Sequence, residues 1–187
     1  MALGINEKIN LFIQSIERIK LPESRGARLF CLTIDDNQQA FYAELDNIIK
    51  GLNANGENID NINVSKLLIK SLEDDNMLLD IEEIEKNSPV FVEQQYRILE
   101  KYFIDKVRNR VASSLADIVV LSRVEFTYPY ITNAFRIMME FENQFDKAIL
   151  LILPGEKKTE NLYRYLNKID ISSPSFRIKD IMDFRGN

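Results

Sequence analysis

The residues best placed to do chemistry fall just after short apolar runs. Asp35 and Asp36 follow Arg28–Ile34, Arg123 and Glu125 follow Asp117–Ser122, and Glu156, Lys157 and Lys158 follow Ala148–Leu153. If each run is a strand of a parallel sheet, these charges collect beyond the carboxyl ends of the strands, where such sheets place ligands. Two or three carboxylates converging there could hold Mg²⁺ for phosphoryl-transfer or nuclease chemistry. That chemistry requires Asp35 or Asp36 to approach Glu125 or Glu156. The preferred alternative is that these are loop charges that cap elements and hydrate the surface, as in many folds of this class. No acid, acid and lysine spacing of the nuclease kind falls on consecutive strand positions.

Other chemistries are excluded by residue type. The chain of 187 residues has no histidine and one cysteine, Cys31. Imidazole bases, histidine metal ligands and Ser-His-Asp or Cys-His catalysis within this chain are therefore ruled out, and a zinc site is not expected. Neither G-x-x-x-x-G-K-[ST] nor G-x-G-x-x-G occurs, so an ATPase or dinucleotide enzyme of ordinary type is not expected. No cofactor is assigned. The net charge of −5 argues against a general nucleic-acid surface. The lone cysteine inside an apolar run fits a reducing compartment. The first residues lack the regions of a signal peptide, and no apolar run is long enough for a bilayer, so a cytoplasmic protein is expected.

Aromatic and basic clusters offer binding rather than catalysis. Tyr128-Pro129-Tyr130 could anchor a partner or stack a base, or could fix a helix start against the sheet. Pro154-Gly155-Glu156 reads as a turn using glycine's freedom at positive φ, or as a docking loop. Lys101, Lys106, Arg108 and Arg110, flanked by aromatics, read as one solvated helix face rather than a nucleic-acid site in an acidic chain.

The elements that must position these residues follow from periodicity. Hydrophobic residues make up 45% and charged residues 28%, the composition of a single globular domain. Ile9, Phe12, Ile13, Ile16 and Ile19 predict an amphipathic helix over 6–20, with Asn6 as a candidate cap. Arg28–Ile34 predicts a strand, and a helix follows to Leu52. Ile59–Val64 predicts a weaker, edge strand because of its Asn and Asp residues. Ser65 is the candidate cap of the next helix. An acidic helix over 77–86 and a long helix from Val90 to Leu115 precede Asp117–Ser122. The residues over 65–115 form a helical insertion where a simple crossover would be far shorter. It either docks a partner or packs on the sheet. Between the apolar runs at 117–122 and 148–153, Pro129 fits a helix first turn, and Ile131, Phe135, Met138, Met139 and Phe141 form its stripe, completing a strand–helix–strand unit. A short helix over 160–166 follows, then a strand over 174–178 or a helix over 177–184. The predicted fold is a three-layer α/β domain over 1–187. Its sheet of four or five strands is mostly parallel, with helices on both faces.

Three stretches carry a family resemblance: F-T-Y-P-Y-I-T-N-A-F after the third strand, I-L-P-G-E closing the fourth, and N-L-Y-R-Y-L beyond it. Together they resemble the BrxB family of bacterial BREX phage-defence systems. That family has a "-V-Y-P-" turn into a helix, a strand ending "Y-P-G", and an aromatic-rich segment around an arginine near its C-terminus. Glu125-Phe126-Thr127 replaces the family's glycine-bearing turn, and Ser173–Ile178 is a poor version of the last segment. The likeness is clearest over 117–166. It implies a non-catalytic subunit of a defence complex, with a PglZ-like protein as partner. Tyr128, Pro129, Tyr130, Pro154, Gly155 and Glu156 are the candidate partner-binding residues. The rival readings are the Mg²⁺-dependent enzyme above and a degenerate nucleotide-binding sensor.

Overall fold

The computed structural model describes residues 4–21, 28–34, 38–77, 86, 89–141, 144–174 and 178–184. Helix α1 (Ile5–Lys20) leads to strand β1 (Leu29–Ile34), helix α2 (Gln38–Ala54) and strand β2 (Ile59–Asn63). Helices α3 (Val64–Asp74) and α4 (Pro89–Ser113) then lead to β3 (Ile118–Ser122), a 3-10 turn (Val124–Thr127) and the short helix α5 (Phe135–Met139). The chain closes with β4 (Ala148–Lys157), β5 (Leu162–Tyr165), β6 (Ile169–Ser172), β7 (Ile178–Asp180) and a last 3-10 turn (Ile181–Phe184).

Five strands run parallel in the order β2-β3-β4-β1-β7. The central strands β1 and β3 are buried at every position, as unalternating apolar runs on a doubly covered sheet must be. Their alternation divides two cores. Phe30, Leu32, Ile34, Val120, Leu150 and Ile152 face α1 and α2, where Phe12, Ile16, Ile19, Phe41 and Leu45 meet them. Cys31, Val119, Leu121, Leu151 and Leu153 face the other way, against α3, α4 and α5. The result is the expected three-layer α/β architecture. The insertion packs on the sheet: Leu68, Leu72, Leu99, Phe103, Val107 and Val111 are all part of that second core. Ile98, also on α4, is not part of that core and stands 58% exposed. Strand β2 is an edge strand, as its polar residues imply.

Several local expectations are corrected. The first helix starts at Ile5, where Glu7 accepts a 2.8 Å hydrogen bond from the Gly4 N–H, so Asn6 lies inside the helix rather than capping it. The cap of α3 is Asn63, whose side chain accepts from the Lys66 N–H at 3.0 Å, and Ser65 is within the helix. Pro129 does not open a helix. The chain leaves β3 through the 3-10 turn, passes the cis Tyr128–Pro129 bond, and becomes helical only at Phe135. The apolar stripe is nonetheless real, with Ile131, Phe135, Met138 and Phe141 buried, because the turn delivers those side chains without a continuous helix.

The largest difference lies after Leu153. Strand β4 does not stop at Pro154-Gly155 but changes partner there. Pro154 is the last residue in register with β1, opposite Ile34, and Gly155 begins an antiparallel pairing opposite Tyr165. The predicted helix over 160–166 is strand β5, paired on its other side with β6. Its pattern has the period of a strand, with Tyr163 and Tyr165 buried and Leu162 and Arg164 half-buried. The turn between β5 and β6 holds Leu166 and Asn167 both at φ 54°, and the Lys168 N–H closes it onto the Tyr165 carbonyl at 3.0 Å. Two successive positive φ values give the turn the twist of a hairpin. Tyr163, Tyr165 and Ile171 then join the α3–α5 core, so this hairpin completes that layer in place of another helix. Near the end, a strand and then a 3-10 turn take the place of the two alternatives. The predicted acidic helix falls largely on residues outside those described, as do Asp35 and Asp36 and part of Ser173–Ile178.

Candidate functional site at the carboxyl end of the third strand

Of the charges and aromatics singled out above, Arg123, Glu125 and Tyr128–Tyr130 lie around the exit of β3, and one residue sets their arrangement. By strict alternation Arg123 would follow Val119 and Leu121 into the α3–α5 core. It instead takes a left-handed conformation, φ 58° and ψ 42°. This turns Arg123 towards α2 and delivers Val124 into the core, where it is fully buried. Such a conformation is strained for any residue but glycine or asparagine, at a cost of order 1 kcal/mol.

The Arg123 guanidinium stacks on the ring of Tyr42, 4.5 Å from its centroid. Tyr42 is buried in α2 and donates its hydroxyl to Glu125 Oε2 at 3.0 Å. Burial raises the Glu125 pKa above the ordinary carboxylate value, with its own backbone N–H, Tyr42 and Arg123 pulling the other way. Burial, followed by the Glu125 charge, likewise pushes the Tyr42 hydroxyl far up, so it stays a neutral donor. Beside them Ser122 Oγ donates to Asn61 Oδ1 at 2.8 Å, and Asn61 Nδ2 donates to Asp46 Oδ1 at 2.6 Å. Thus β3, β2 and α2 are bound together by side chains at one end of the sheet.

The turn that follows is pinned from inside. Thr127 is buried and donates to the Val124 carbonyl at 2.8 Å, and Tyr165 of β5 donates to the same carbonyl at 3.1 Å. Phe126, in this same turn, is 56% exposed. Tyr128, Pro129 and Tyr130 are half-buried. Tyr130 packs edge-on against Tyr96 and Phe103 of α4, at 5.0 and 5.6 Å between centroids, and Lys168 Nζ lies 5.8 Å above the Tyr128 ring.

Pro154 and Gly155 are buried, and the Leu166 N–H donates to the Pro154 carbonyl at 2.8 Å. A Cβ on Gly155 would stand 2.0 Å from the Arg164 carbonyl oxygen, and Gly155 has φ 147°, so only glycine fits the crossing of β4 and β5. Glu156 is exposed and pairs with Lys158. The hairpin therefore brings the Tyr128–Tyr130 turn and the Pro154-Gly155 bend into one region, but it buries the bend rather than presenting it. Phe126 was missed as a candidate. Its exposure depends on the phase of the 3-10 turn, which the sequence pattern does not reveal.

Of the carboxylates proposed for a metal, the two described are engaged separately, Glu125 with Tyr42 and Glu156 with Lys158. Among the described residues no group of three or more His, Cys, Asp or Glu side chains is placed to hold a metal ion. A second polar cluster lies beyond β1. Asp180, with its side chain 1% exposed, accepts from Tyr163 Oη at 3.0 Å and from the Met182 N–H at 2.9 Å. Lys157 Nζ lies 3.8 Å from it and 2.7 Å from Asp183. Burial raises the Asp180 pKa. The buried Cys31 thiol, its pKa also raised by burial, reaches Tyr163 Oη at 3.8 Å.

Fold and site together define a three-layer α/β domain with a mostly parallel sheet, an arginine and an aromatic ring presented where β3 ends. No protein-family model, curated protein or solved structure matches the chain. Among the described residues no helix is long and apolar enough to cross a membrane.

Proposed function

We propose that this chain is a non-catalytic interaction subunit that docks a protein partner through the carboxyl end of β3. The observation that carries this reading is Phe126, a large apolar ring 56% exposed on a turn whose other side chains Val124 and Thr127 are fully buried. A solvent-facing ring on a braced turn that an arginine opens is the kind of anchor that dominates protein interfaces. The polar groups around it are used to brace the scaffold. The resemblance to BrxB gives the reading its setting, a bacterial phage-defence complex with a PglZ-like partner, and the Tyr128–Tyr130 turn continues the same surface.

The test is to tag the chain in its native host and identify what co-purifies in stoichiometric amount. A PglZ-like protein or another defence component is the expected result. A chain that purifies alone overturns the proposal. In that case Mg²⁺-dependent cleavage by the wild type, lost in Glu125→Gln, would favour the enzyme reading instead.

A further inference from the structure

We infer that Arg123 and Phe126 together receive an acidic segment of the partner, a carboxylate on the guanidinium and an adjacent apolar side chain on the ring. The inference rests on the partner-binding reading above and names the chemistry of the partner. Four features of the exit of β3 lead to it.

The first is electrostatic. The guanidinium of Arg123 rests on Tyr42, yet no hydrogen-bond acceptor for its N–H groups lies among the described residues. Other basic groups of this size are engaged: Arg97 with Glu93, Arg108 with Asp105, Arg110 with Asp60, Arg136 with Glu100 and Arg164 with Asp170. An arginine stacked on a ring, with no described residue hydrogen-bonded to its donor fork, is preorganised for a planar, two-oxygen acceptor. The neighbouring Glu125 feels the Arg123 charge, but the hydrogen bond its carboxylate accepts, at 3.0 Å, comes from the Tyr42 hydroxyl and not from the guanidinium.

The second is conformational. Arg123 sits at φ 58°, where glycine would be free of strain. Backbone strain of this kind clusters at ligand clamps and other functional sites. Here it swings the arginine out of the core and onto the rim. The third is continuity, since Phe126 lies in the 3-10 turn that Arg123 itself introduces. The fourth is rigidity. Tyr165, Thr127 and Tyr42 fix this turn from the hairpin, from within and from α2. Little ordering is left to be done on binding.

The competing surface is an open groove of about 870 Å³ between α4 and α5. Arg97, Lys101, Arg108 and Arg136 line it together with Glu100, Asp105 and Glu140. Its signs nearly cancel and it selects no chemistry.

The experiment uses the full chain with the partner recovered from the native host, and compares the wild type with Arg123→Gly, Arg123→Lys and Phe126→Ala. Arg123→Gly is the informative variant, because it removes the side chain while relieving the backbone. It is expected to keep an unfolding midpoint near that of the wild type and to weaken binding by about thirtyfold or more. Lysine, which lacks the fork, restores only part of the affinity, and Phe126→Ala costs about tenfold. One Asp→Asn or Glu→Gln change in the partner reproduces the Arg123 loss and adds nothing to it in the double variant. If Arg123→Gly binds as the wild type does, the inference is overturned while the partner-binding function stands. If the wild type recovers no partner, both fall. Titration of the wild type with inorganic phosphate and with a nucleoside monophosphate covers the remaining occupant. Saturable binding of either, lost in Arg123→Gly, would make this a small-anion site and overturn the assignment to a partner.

Discussion

Residues whose charge or shape has no freedom decide the fold locally. Gly155 is the clearest case. With a backbone carbonyl 2.0 Å from where its Cβ would be, Gly155→Ala forces β4 and β5 apart and costs about 3 kcal/mol. Denaturant unfolding reads this directly, and a loss under about 1 kcal/mol would mean that the crossing relaxes freely. Glu125 and Asp180 make a prediction about pH. Both have pKa values raised by burial, so in each case the folded state binds the proton more tightly than the unfolded chain. Stability contributed by protonation is then present at low pH and is lost as pH rises out of the ordinary carboxylate range. Glu125→Gln removes one such titration. The stability of this variant relative to the wild type should rise as pH increases from about 4 towards neutrality. A difference that stays constant would show that the Arg123 and Tyr42 contacts balance burial, and one that runs the other way that they outweigh it. At Asp180 the test is Tyr163→Phe, which deletes one donor to a buried carboxylate and should cost about 1–3 kcal/mol at neutral pH.

At the scale of elements, the strands were legible where burial is complete. Ile118–Ser122 and Ala148–Leu153 are continuous apolar runs because both faces of the sheet are covered, and no other element class explains such short runs between breaks. The β5–β6 hairpin was not legible. Its turn holds Leu166 at φ 54°, a conformation that leucine does not advertise, and an Asn-Gly pair is missing. Leu162-Tyr163-Arg164-Tyr165 is too short for its period to exclude a helix. The same limit hid the site. Arg123 was visible as a strand-end charge, but the left-handed turn that pairs it with Tyr42 and lifts out Phe126 depends on packing against α2 and β5. The edge strand β2 is held by side chains, with Asp60 accepting from Ser114 at 2.7 Å and from Arg110 at 2.8 Å. Asp60→Ala is expected to cost about 1–2 kcal/mol and to speed hydrogen exchange in β2 before β3 or β4. Equal exchange in all three strands would mean that the edge unfolds only with the whole sheet.

For the whole molecule, one sheet carries both cores, so neither side can lose its packing without exposing strands the other side needs. Phe30 faces one core and Cys31 the other from adjacent positions of β1. Heat unfolding should therefore give a single transition, coincident by tyrosine fluorescence and far-ultraviolet circular dichroism. The rigidity this confers suits a protein whose task is to hold a small surface in place. The measurement that bears most directly on that task is the size of the native assembly containing the chain, for the wild type and for Arg123→Gly at matched stability. The account predicts that the wild type runs in a stoichiometric complex and that Arg123→Gly runs apart from it. A wild-type chain that runs without a partner would contradict the function proposed, and a variant that stays in the complex would contradict the surface.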